Sequence, residues 1–329
     1  MQFEPRKFDV LGVGSSIVDV LSFVDEKFLS ANNVKKGIMT LIDEATAENL
    51  YHAAAPAGTL VSGGSAANTV AGVASMGGHA AFIGRIKDDA LGKIFDDGLN
   101  TIGVNFTARP AKTGKATARS FIFVTPDADR TMLTYLGACT EFNSDDINEE
   151  LIKTSKIVYI EGYLWDTEGA IAAIRKTIAL AKKHGTKVSF SLSDPFCVGR
   201  HRAEFLELLK DIDVLFCNED EAKSLFETTQ LGEAIEKISE LCDVVSITTG
   251  AKGSIVIYDN SVKNISAEKI EKLVDTTGAG DLYASGFLYG LVSGHSYEAC
   301  AALGNKAAAH IIQQLGARPA KPLKNLLAA

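Results

Sequence analysis

A glycine-rich turn near the C-terminus carries the residue types that phosphate chemistry needs. Residues 275–281 read DTTGAGD and run directly into an apolar segment, residues 282–292, that is typical of a buried helix. Gly278, Ala279 and Gly280 let the backbone approach a bound group closely, and the first amides of a helix have no carbonyl partner within it. An anion such as a phosphate group is therefore the expected ligand at this turn.

Asp281 lies in the first turn of that predicted helix, beside the place where the phosphate is expected. A carboxylate there is suited to accept a hydroxyl proton during phosphoryl transfer. The same residue types also have a structural use, because Asp in a first turn complements the helix dipole and Thr276 or Thr277 could cap the helix. The other motifs of the chain must decide between these two interpretations of Asp281.

The composition restricts the class of protein. The 329 residues are 46% hydrophobic, which is enough to bury a substantial core in one large α/β domain or two smaller ones. A net charge of −8 and the lack of any basic tract argue against nucleic acid as the main partner. The sequence has no apolar leader and no long uncharged apolar run, so we expect a cytoplasmic protein without a membrane span.

The turn between the first two predicted strands matches part of a dinucleotide-binding motif but not all of it. Residues 8–13 and 17–24 read as two strands joined by a glycine turn. The turn resembles a dinucleotide fingerprint, but its third glycine is missing and a strand follows where a helix is required, so that motif is rejected. Asp19 lies inside the second strand, where a carboxylate is either functional or solvated at a sheet edge.

A double glycine follows the next predicted strand, residues 59–61. Gly63 and Gly64 lead into a small and apolar helical segment, residues 65–76, in which Asn68 is one turn from the start. This arrangement suits hydrogen bonding to ligand hydroxyls at the floor of a cleft. It also suits a tight turn with an Asn cap, and the motif alone does not separate the two.

Short β-rich segments interrupt the pattern in the second quarter of the chain. Residues 118–124 and 130–136 read as a hairpin around a turn at 126–129, and with the strand of Asp19 they would form a small separate sheet. Arg130 follows the turn, where it can reach a phosphate or stay solvated. We predict a large α/β nucleotide-binding domain of residues 1–14, 41–104 and 137–329, and a small β lid of residues 15–40 and 105–136.

Helices and strands alternate regularly after residue 141. Such alternation predicts a parallel sheet covered on both faces, with ligands at the carboxyl ends of its strands. The predicted helices are 145–154, 168–183, 202–210 and 235–241, and the predicted strands are 156–161, 187–192, 213–217, 244–248 and 254–258, followed by a strand-like segment at 270–274.

Two polar groups follow strands of this predicted sheet. Asn218 and Glu221 are three residues apart at a helix start and so share one face. The pair fits a network of Mg²⁺-bound water near nucleotide phosphates, and it fits equally a helix cap with dipole-complementing acids. Thr249, Gly250 and Gly253 predict a turn that would lie close to a base or a ribose.

Four motifs together resemble those of the ribokinase-like (PfkB) carbohydrate kinase family, in the family's order and across the whole chain. They are residues 63–68 (GGSAAN), Asn218-x-x-Glu221, Thr249-Gly250-x-x-Gly253 and residues 275–281. Residues 160–163, 191–196 and 213–222 look most like the adenosine kinases of this family. The resemblance implies a three-layer α/β/α sandwich with a mostly parallel central sheet and a small β-sheet lid.

The resemblance also implies roles for individual residues. Asp281 would be the catalytic base for the 5′-hydroxyl of a purine nucleoside, with adenosine as the expected substrate and ATP with Mg²⁺ as the phosphate donor. Catalysis would further involve Gly278, Ala279 and Gly280 as the anion hole and Arg130 at the transferred phosphate. The substrate would contact Ser15, Asp19, Gly63, Gly64, Asn68, Leu136 and Tyr163, the last by stacking. ATP and its Mg²⁺ would contact Asn218, Glu221, Thr249, Gly250, Gly253 and Asn305, with Glu221 reaching the metal through water.

Some questions remain open at this level. Many relatives bind a monovalent cation such as K⁺ beside the anion hole, and the matching positions here are Asp275, Thr277 and Gly316; sequence constrains them little, because the ligands are largely backbone carbonyls. Ser15 stands where similar adenosine kinases often have Asn, which leaves the nucleoside preference open. The alternatives are a ribose or fructose kinase of the same family and a non-catalytic nucleotide-binding regulator. The chain would act on a small molecule, as a monomer or a homodimer.

Overall fold

The computed structural model describes residues 1–55, 58–127 and 130–324. Its strands are β1 (Phe8–Val13), β2 (Ile17–Phe23), β3 (Met39–Leu41), β4 (Thr59–Ser62), β5 (Ala80–Ile83), β6 (Val104–Phe106), β7 (Ala118–Val124), β8 (Arg130–Tyr135), β9 (Ser155–Glu161), β10 (Lys187–Ser191), β11 (Val214–Asn218), β12 (Val244–Thr248), β13 (Gly253–Tyr258) and β14 (Ser261–Ser266). Its α-helices are α1 (Glu26–Ala31), α2 (Glu44–Ala54), α3 (Ser65–Ser75), α4 (Ala90–Thr101), α5 (Glu149–Lys153), α6 (Glu168–His184), α7 (Pro195–Leu208), α8 (Glu219–Leu225), α9 (Leu231–Ser239), α10 (Ala279–Val292) and α11 (Tyr297–Ile311).

A large sheet forms the centre of the molecule. Across the described residues it has nine strands in the order β14-β13-β12-β11-β10-β9-β1-β5-β6. Neighbouring strands from β12 to β6 are parallel, and β13 and β14 add an antiparallel hairpin at one edge. Helices α5 to α9 pack on one face, and α3, α4, α10 and α11 pack on the other. The predicted sandwich with a mostly parallel central sheet is confirmed.

Burial on both faces explains why the parallel strands were visible in the sequence. Val10, Leu11 and Val13 of β1 are all fully buried, so that strand is an almost unbroken apolar run. The helices that cover the sheet begin at polar residues that bond their first amides. For example, Thr167 accepts from the Ala170 amide at the start of α6.

A small sheet lies over the carboxyl ends of the large one. In the described part of the chain it has five strands in the order β3-β8-β7-β2-β4. One face packs against α1 and α2 through side chains such as Val20, Phe121 and Phe123, and the other faces a cavity described below. The predicted hairpin of β7 and β8 is confirmed; Ala128 and Asp129, which we placed in its turn, lie outside the described residues.

Two strands belong to a different sheet from the one that the predicted boundaries imply. β4, which we assigned to the large domain, pairs antiparallel with β2 in the small sheet. β6, which the boundary at residue 105 cuts, pairs parallel with β5 in the large sheet, because α4 provides the crossover between these neighbouring strands. Sheet membership depends on long-range pairing that strand propensity does not encode. The division into a domain and a lid stays a proposal.

The segment at residues 270–274 is not a strand, contrary to our prediction. The Val274 amide donates to the Ile312 carbonyl at 2.8 Å, and the Leu273 side chain is 57% exposed. β13 pairs with β12 on one side and, on the other, with β14, which follows a tight turn at Asp259 and Asn260, both with positive φ. The sequence did not reveal β14 because most of its side chains are polar and face solvent.

Two predicted helices have different limits in the structure. The helix predicted at 145–154 is a 3₁₀ turn, Ser144–Asp146, and then α5, because Ile147 is extended and Asn148 caps a new start. The helix predicted at 202–210 corresponds to the second part of α7. α7 begins earlier, where Asp194 caps it and a proline occupies its first turn, and it is interrupted by non-helical backbone at His201 (φ −122°). Among the described residues, none of the helices has the length and apolarity needed to cross a membrane.

Candidate active site

A cavity of about 1100 Å³ lies between the small sheet and the carboxyl ends of the large sheet. We call it the main cavity. Many of the residues predicted to be functional line it: Ser15, Asp19, Gly64, Asn68, Leu136, Tyr163, Asn218, Glu221, Thr277, Gly278, Ala279, Gly280 and Asp281. The remaining predicted residues do not belong to this lining: Gly63, Arg130, Thr249, Gly250, Gly253, Asp275, Asn305 and Gly316.

Asp281 lies in the first turn of α10, as predicted, and both of its oxygens are held from α3. Ser65 Oγ donates to Oδ1 at 2.7 Å, and Asn68 Nδ2 donates to Oδ2 at 3.0 Å. Burial raises the pKa of Asp281 to about 6, while the bonds from Ser65 and Asn68 and the charge of Arg318 act in the opposite direction. A carboxyl group of this basicity is ionised at neutral pH and can accept a proton.

The start of α10 has the geometry of an anion site. Gly278 precedes the helix with φ 76°, a left-handed conformation. A Cβ there would lie 2.8 Å from Ala317 Cα, so this position requires glycine. The Ala279 amide donates to the Thr276 carbonyl at 3.2 Å, within the turn. The following amides, of Gly280 and Asp281, are first-turn donors that can bond a ligand in the main cavity.

Asp275 is a buried carboxylate that ties three segments together. It accepts from the Thr277 amide at 2.8 Å and from the Gly316 amide at 2.7 Å, and it forms an ion pair with Arg130 from the small sheet. Arg130 Nη1 also donates to Thr277 Oγ1 at 2.7 Å. The structure therefore brings Asp275, Thr277 and Gly316 together and places Arg130 against the turn that starts α10; a monovalent-cation site at these residues stays a prediction.

Asp19 projects from β2 towards the same end of the main cavity. A Cβ on Gly63 would lie 2.3 Å from Asp19 Oδ2, so the absence of a side chain there makes room for the carboxylate. Gly64 has φ 91°, and a Cβ on it would lie 2.3 Å from the Ser15 carbonyl oxygen. Burial raises the pKa of Asp19 to about 7, against the attraction of Arg318. The double glycine thus brings Asp19 and the start of α3 close together.

Glu161 is a central residue to which the sequence analysis gave no role. It is fully buried at the end of β9 and accepts from the Ser15 amide at 2.7 Å and the Ala66 amide at 2.8 Å. These bonds join the start of α3 to the turn between β1 and β2. A carboxylate at the end of a buried strand was the available signal. Burial raises its pKa to about 7.

Glu161 should make the stability of the protein depend on pH. Its folded-state pKa of about 7 lies above the usual value of 4.5, so the folded state binds more protons and gains stability as pH falls through 7. We expect the stability of the wild type relative to Glu161→Gln to increase by about 1–3 kcal/mol between about pH 8 and about pH 5. Urea unfolding at both pH values measures this change.

Glu204→Gln is the matched control, because Glu204 is exposed on α7. Its stability relative to the wild type should be nearly independent of pH over the same interval. A Glu161→Gln difference that also stays constant would show that Glu161 is ionised throughout and would contradict the prediction.

Tyr163 offers an aromatic surface to the main cavity. It is 38% exposed, its amide donates to Ser193 Oγ at 3.2 Å, and its hydroxyl donates to the Ser193 carbonyl at 3.2 Å. Ser193 has φ 73°, unusual for a residue with a side chain. Phe196, which the sequence analysis did not single out, lines the same cavity and is 78% exposed. Two aromatic side chains are therefore available to a flat ligand.

Asn218 and Glu221 form a capping box at the start of α8. Asn218 Oδ1 accepts from the Glu221 amide at 2.8 Å, and Glu221 Oε2 accepts from the Asn218 amide at 2.9 Å. Both residues also line the main cavity, so the structural and the ligand-binding interpretation are compatible. Burial raises the pKa of Glu221 to about 7. Over the described residues, no cluster of three or more His, Cys, Asp or Glu side chains could hold a metal ion directly.

The residues predicted to hold the nucleotide are more scattered. Thr249 lines a smaller cavity of about 470 Å³ beside α8, and its amide donates to the Gly253 carbonyl at 2.8 Å. Gly250 and Gly253 shape the same turn with φ 60° and 104°. The Asn305 amide group donates to the carbonyls of Ile265 and Ser266 at the end of β14. Asn305 thus lies outside both cavities and holds β14 in place.

Arg318 is another residue that the sequence analysis missed. Its Nε donates to Asn68 Oδ1 at 3.1 Å and its Nη2 donates to the Gly63 carbonyl at 3.4 Å. Burial lowers its pKa to about 10, and the charges of Asp19 and Asp281 act in the opposite direction. The only sequence signal was its place two residues after Gly316, in a loop assigned to the same site.

Comparisons with known proteins identify the family and the fold. The model of the pfkB family carbohydrate kinases matches residues 30–324. A 5-dehydro-2-deoxygluconokinase of Bacillus licheniformis is 29% identical over 283 residues, which are 81% of this chain and 86% of that enzyme. The solved adenosine kinase from Sinorhizobium meliloti is 45% identical with a TM-score of 0.91, covering 98% of this chain and 99% of that one. A probable sugar kinase from Rhizobium etli CFN 42 is 43% identical with the same TM-score of 0.91, covering 98% of each chain.

Proposed function

The chain belongs to the pfkB family of carbohydrate kinases, and from this membership we propose that it transfers the γ-phosphate of ATP to the 5′-hydroxyl of a purine nucleoside. Adenosine is the proposed substrate and AMP the product, as in purine salvage. The observation that carries the proposal is the lining of the main cavity, which combines aromatic and apolar side chains with several carboxylates.

The aromatic and apolar part of the lining fits a purine base. Tyr163 and Phe196 line it, and the small sheet and its flanking loops contribute Ile38, Met132 and Leu136. A base exposes flat apolar faces that such side chains can cover, and stacking on an aromatic ring is worth about 1–3 kcal/mol per base. A free ribose or fructose exposes hydroxyl groups in every direction. It would leave these apolar side chains uncovered and would place its hydroxyl groups against them without hydrogen-bond partners.

The charges of the cavity argue against a sugar acid. Among the described lining residues the one Lys or Arg is Arg200, and it forms an ion pair with Asp166 at 3.0 Å. The acidic lining residues are Asp19, Glu161, Asp166, Asp194, Glu221 and Asp281. A carboxylate substrate, such as the 5-dehydro-2-deoxygluconate for which the Bacillus licheniformis relative is named, would meet repulsion from these groups, which Arg318 offsets only beside Asp19 and Asp281. An uncharged nucleoside avoids that penalty.

Transfer proceeds in line. The nucleoside 5′-oxygen forms a bond to the γ-phosphorus of ATP, the bond from that phosphorus to the β,γ-bridging oxygen breaks, and ADP leaves. Asp281 accepts the hydroxyl proton, and Ser65 and Asn68 hold its carboxylate with one bond to each oxygen. The amides at the start of α10 stabilise charge on the transferred group, and the Arg130 guanidinium adds to this once it turns from its ion pair with Asp275 towards the cavity.

The other residues orient the reactants. Asp19 accepts hydrogen bonds from the ribose hydroxyls, and Gly64 keeps the start of α3 close to the sugar. Asn218 and Glu221 line the main cavity and would hold water molecules of a bound Mg²⁺, which would neutralise phosphate charge there. Thr249, Gly250 and Gly253 shape a turn for the nucleotide. The small sheet excludes water from the cavity and so limits hydrolysis of ATP.

A substrate panel tests the proposal. ADP release with MgATP is measured for adenosine, inosine, guanosine, cytidine, ribose, fructose and 5-dehydro-2-deoxygluconate. Strong preference for adenosine is expected. Activity limited to the free sugars or to the sugar acid would leave the kinase chemistry in place and overturn the nucleoside assignment, and silence across the panel would favour a nucleotide-binding regulator.

The same panel, run with and without K⁺, tests the proposed monovalent-cation site. Asp275, Thr277 and Gly316 meet beside the start of α10, where a cation would strengthen the anion hole. Equal rates in K⁺ and in a bulky organic cation would count against that site and leave the other assignments untouched.

Replacing Tyr163 by Ala should raise KM for adenosine by roughly 5- to 150-fold, equivalent to the loss of about 1–3 kcal/mol of stacking. KM for ATP should change little, because no nucleotide contact is assigned to this ring. Tyr163→Phe is the matched control, since it keeps the ring and loses only the hydroxyl that donates to the Ser193 carbonyl. Equal adenosine KM values for the wild type and Tyr163→Ala would remove the stacking role.

A further inference from the structure

Arg318 reaches the site from a segment distant in the chain. It is separated from Asn68 by 250 positions, and its Nε donates to Asn68 Oδ1 at 3.1 Å. Asn68 Nδ2 in turn donates to Asp281 Oδ2 at 3.0 Å. Arg318, Asn68 and Asp281 therefore form a continuous chain of hydrogen bonds that ends on the proposed base.

The backbone around Arg318 is held against the start of α10. Gln314 Nε2 donates to the Arg318 carbonyl at 2.7 Å, and the Gly316 amide donates to Asp275 Oδ2 at 2.7 Å. Ala317, the residue just before Arg318, packs directly against Gly278. Because these contacts fix the segment relative to α10, the guanidinium has a defined place beside α3.

The guanidinium decides which way the Asn68 amide points. An arginine side chain has only donors, so the Asn68 atom that faces it must be the carbonyl oxygen. The amide nitrogen is then forced to face Asp281, where it donates. Without Arg318 only Asp281 itself orients the amide, so the Asn68 side chain is held less firmly against the carboxylate.

We propose that Arg318 is a positioning residue for phosphoryl transfer: it fixes the Asn68 amide so that the carboxylate of Asp281 is held in the orientation that accepts the hydroxyl proton. The inference rests on the proposed function through the role of Asp281 as the base. It adds a residue that is in none of the sequence motifs, and it adds the series of hydrogen bonds from Arg318 through Asn68 to Asp281.

The charge of Arg318 supports the same role. Asp281 is surrounded by ionisable groups from every neighbouring element: Asp19 from β2, Tyr159 and Glu161 from β9, Tyr163 after β9, and Arg318. Arg318 is the cation of this group, and its charge lowers the pKa of both Asp281 and Asp19. Its removal should therefore make Asp281 harder to ionise.

The test compares Arg318→Met, Arg318→Lys and, as a matched control on the exposed face of α6, Arg175→Met. The measurements are kcat and KM for the substrate that the wild type phosphorylates, across pH, together with the thermal unfolding midpoint. Arg318→Met should lower kcat by about 10- to 100-fold, leave KM for ATP unchanged, and move the acid limb of the kcat profile to higher pH.

Arg318→Lys separates charge from geometry. It keeps a cation but lacks the guanidinium fork that bonds Asn68 and the Gly63 carbonyl together. The acid limb should stay close to that of the wild type while kcat remains reduced. A residue that only supports the fold would lower the unfolding midpoint without moving the acid limb, and that result would overturn the proposal. Wild-type kinetics in Arg318→Met would overturn it as well.

A measurement without substrate distinguishes this inference from the proposed function. The ¹³C signal of the Asp281 carboxyl group, identified by its loss in Asp281→Asn, is titrated in the wild type and in Arg318→Met. A higher pKa in the variant is expected, and an unchanged pKa refutes the coupling. If the substrate panel shows no kinase activity, the proposed function fails on that panel, while the titration still decides whether Arg318 controls Asp281.

Discussion

Replacing Asp281 by Asn should lower kcat by about a hundredfold to ten-thousandfold and leave the affinity for ATP nearly unchanged. The amide cannot accept the hydroxyl proton, whereas the surrounding backbone and the start of α10 keep their positions. Steady-state kinetics give kcat, and a fluorescent ATP analogue gives the affinity. In the wild type, kcat should fall below about pH 6, because Asp281 must be ionised to act and burial raises its pKa to about 6.

Asp97→Asn is the matched control, because Asp97 is exposed on α4 and the same chemical change there should leave kcat unaltered. The unfolding midpoint of Asp281→Asn must also be measured, since the new amide nitrogen has to use Ser65 Oγ as its acceptor while the amide oxygen keeps the bond from Asn68 Nδ2. Near-normal turnover in a folded Asp281→Asn variant would exclude Asp281 as the base and would return it to the structural role of a residue that complements the helix dipole.

Replacing Gly278 by Ala should damage both the fold of the turn and the anion site. Gly278 has φ 76°, and an added Cβ would lie 2.6 Å from the Ala317 Cβ. The left-handed conformation costs a residue with a side chain about 1–3 kcal/mol, and relief of the clash would shift the start of α10. Loss of the amide geometry should lower kcat by about 10²- to 10³-fold. Urea unfolding and steady-state kinetics measure the two effects.

Gly199→Ala is the control for the chemical change itself. Gly199 lies in α7, has no positive φ and has open space around its Cα, so alanine should be tolerated or slightly stabilising there. If Gly278→Ala retained wild-type kcat at reduced stability, the turn would be needed only for folding, and the phosphate would have to be bound elsewhere.

The elements whose signals are local could be predicted from the sequence. The start of α10 is determined by Gly278 and by the apolar run behind it, and the capping box of Asn218 and Glu221 lies within four residues. The parallel strands were visible because burial on both faces makes them continuous apolar runs. The polar strand β14 and the short exposed strand β3 were not visible, because no side chain in them has to be buried.

The contacts that form the candidate active site could not be predicted from local sequence patterns. Ser65 meets Asp281 across 216 positions, Arg130 meets Thr277 across 147, and Glu161 meets the Ser15 amide across 146. The motifs indicated that the 63–68 and 275–281 segments serve one site, and the structure brings them into hydrogen-bonding contact. The motifs did not indicate Glu161 or Arg318, because neither carries a local pattern that distinguishes it from an ordinary buried or surface charge.

The sequence by itself determined the family, the mostly parallel sheet and the carboxylate at the start of α10. Each of these was inferred from short segments whose residues are close together in the chain. Only the tertiary structure decided which strand joins which sheet, which groups hold the oxygens of Asp281, and which charges surround it. Those properties depend on contacts between residues that are far apart in the chain. Such a contact stabilises the fold, but it leaves no pattern in the sequence around either residue.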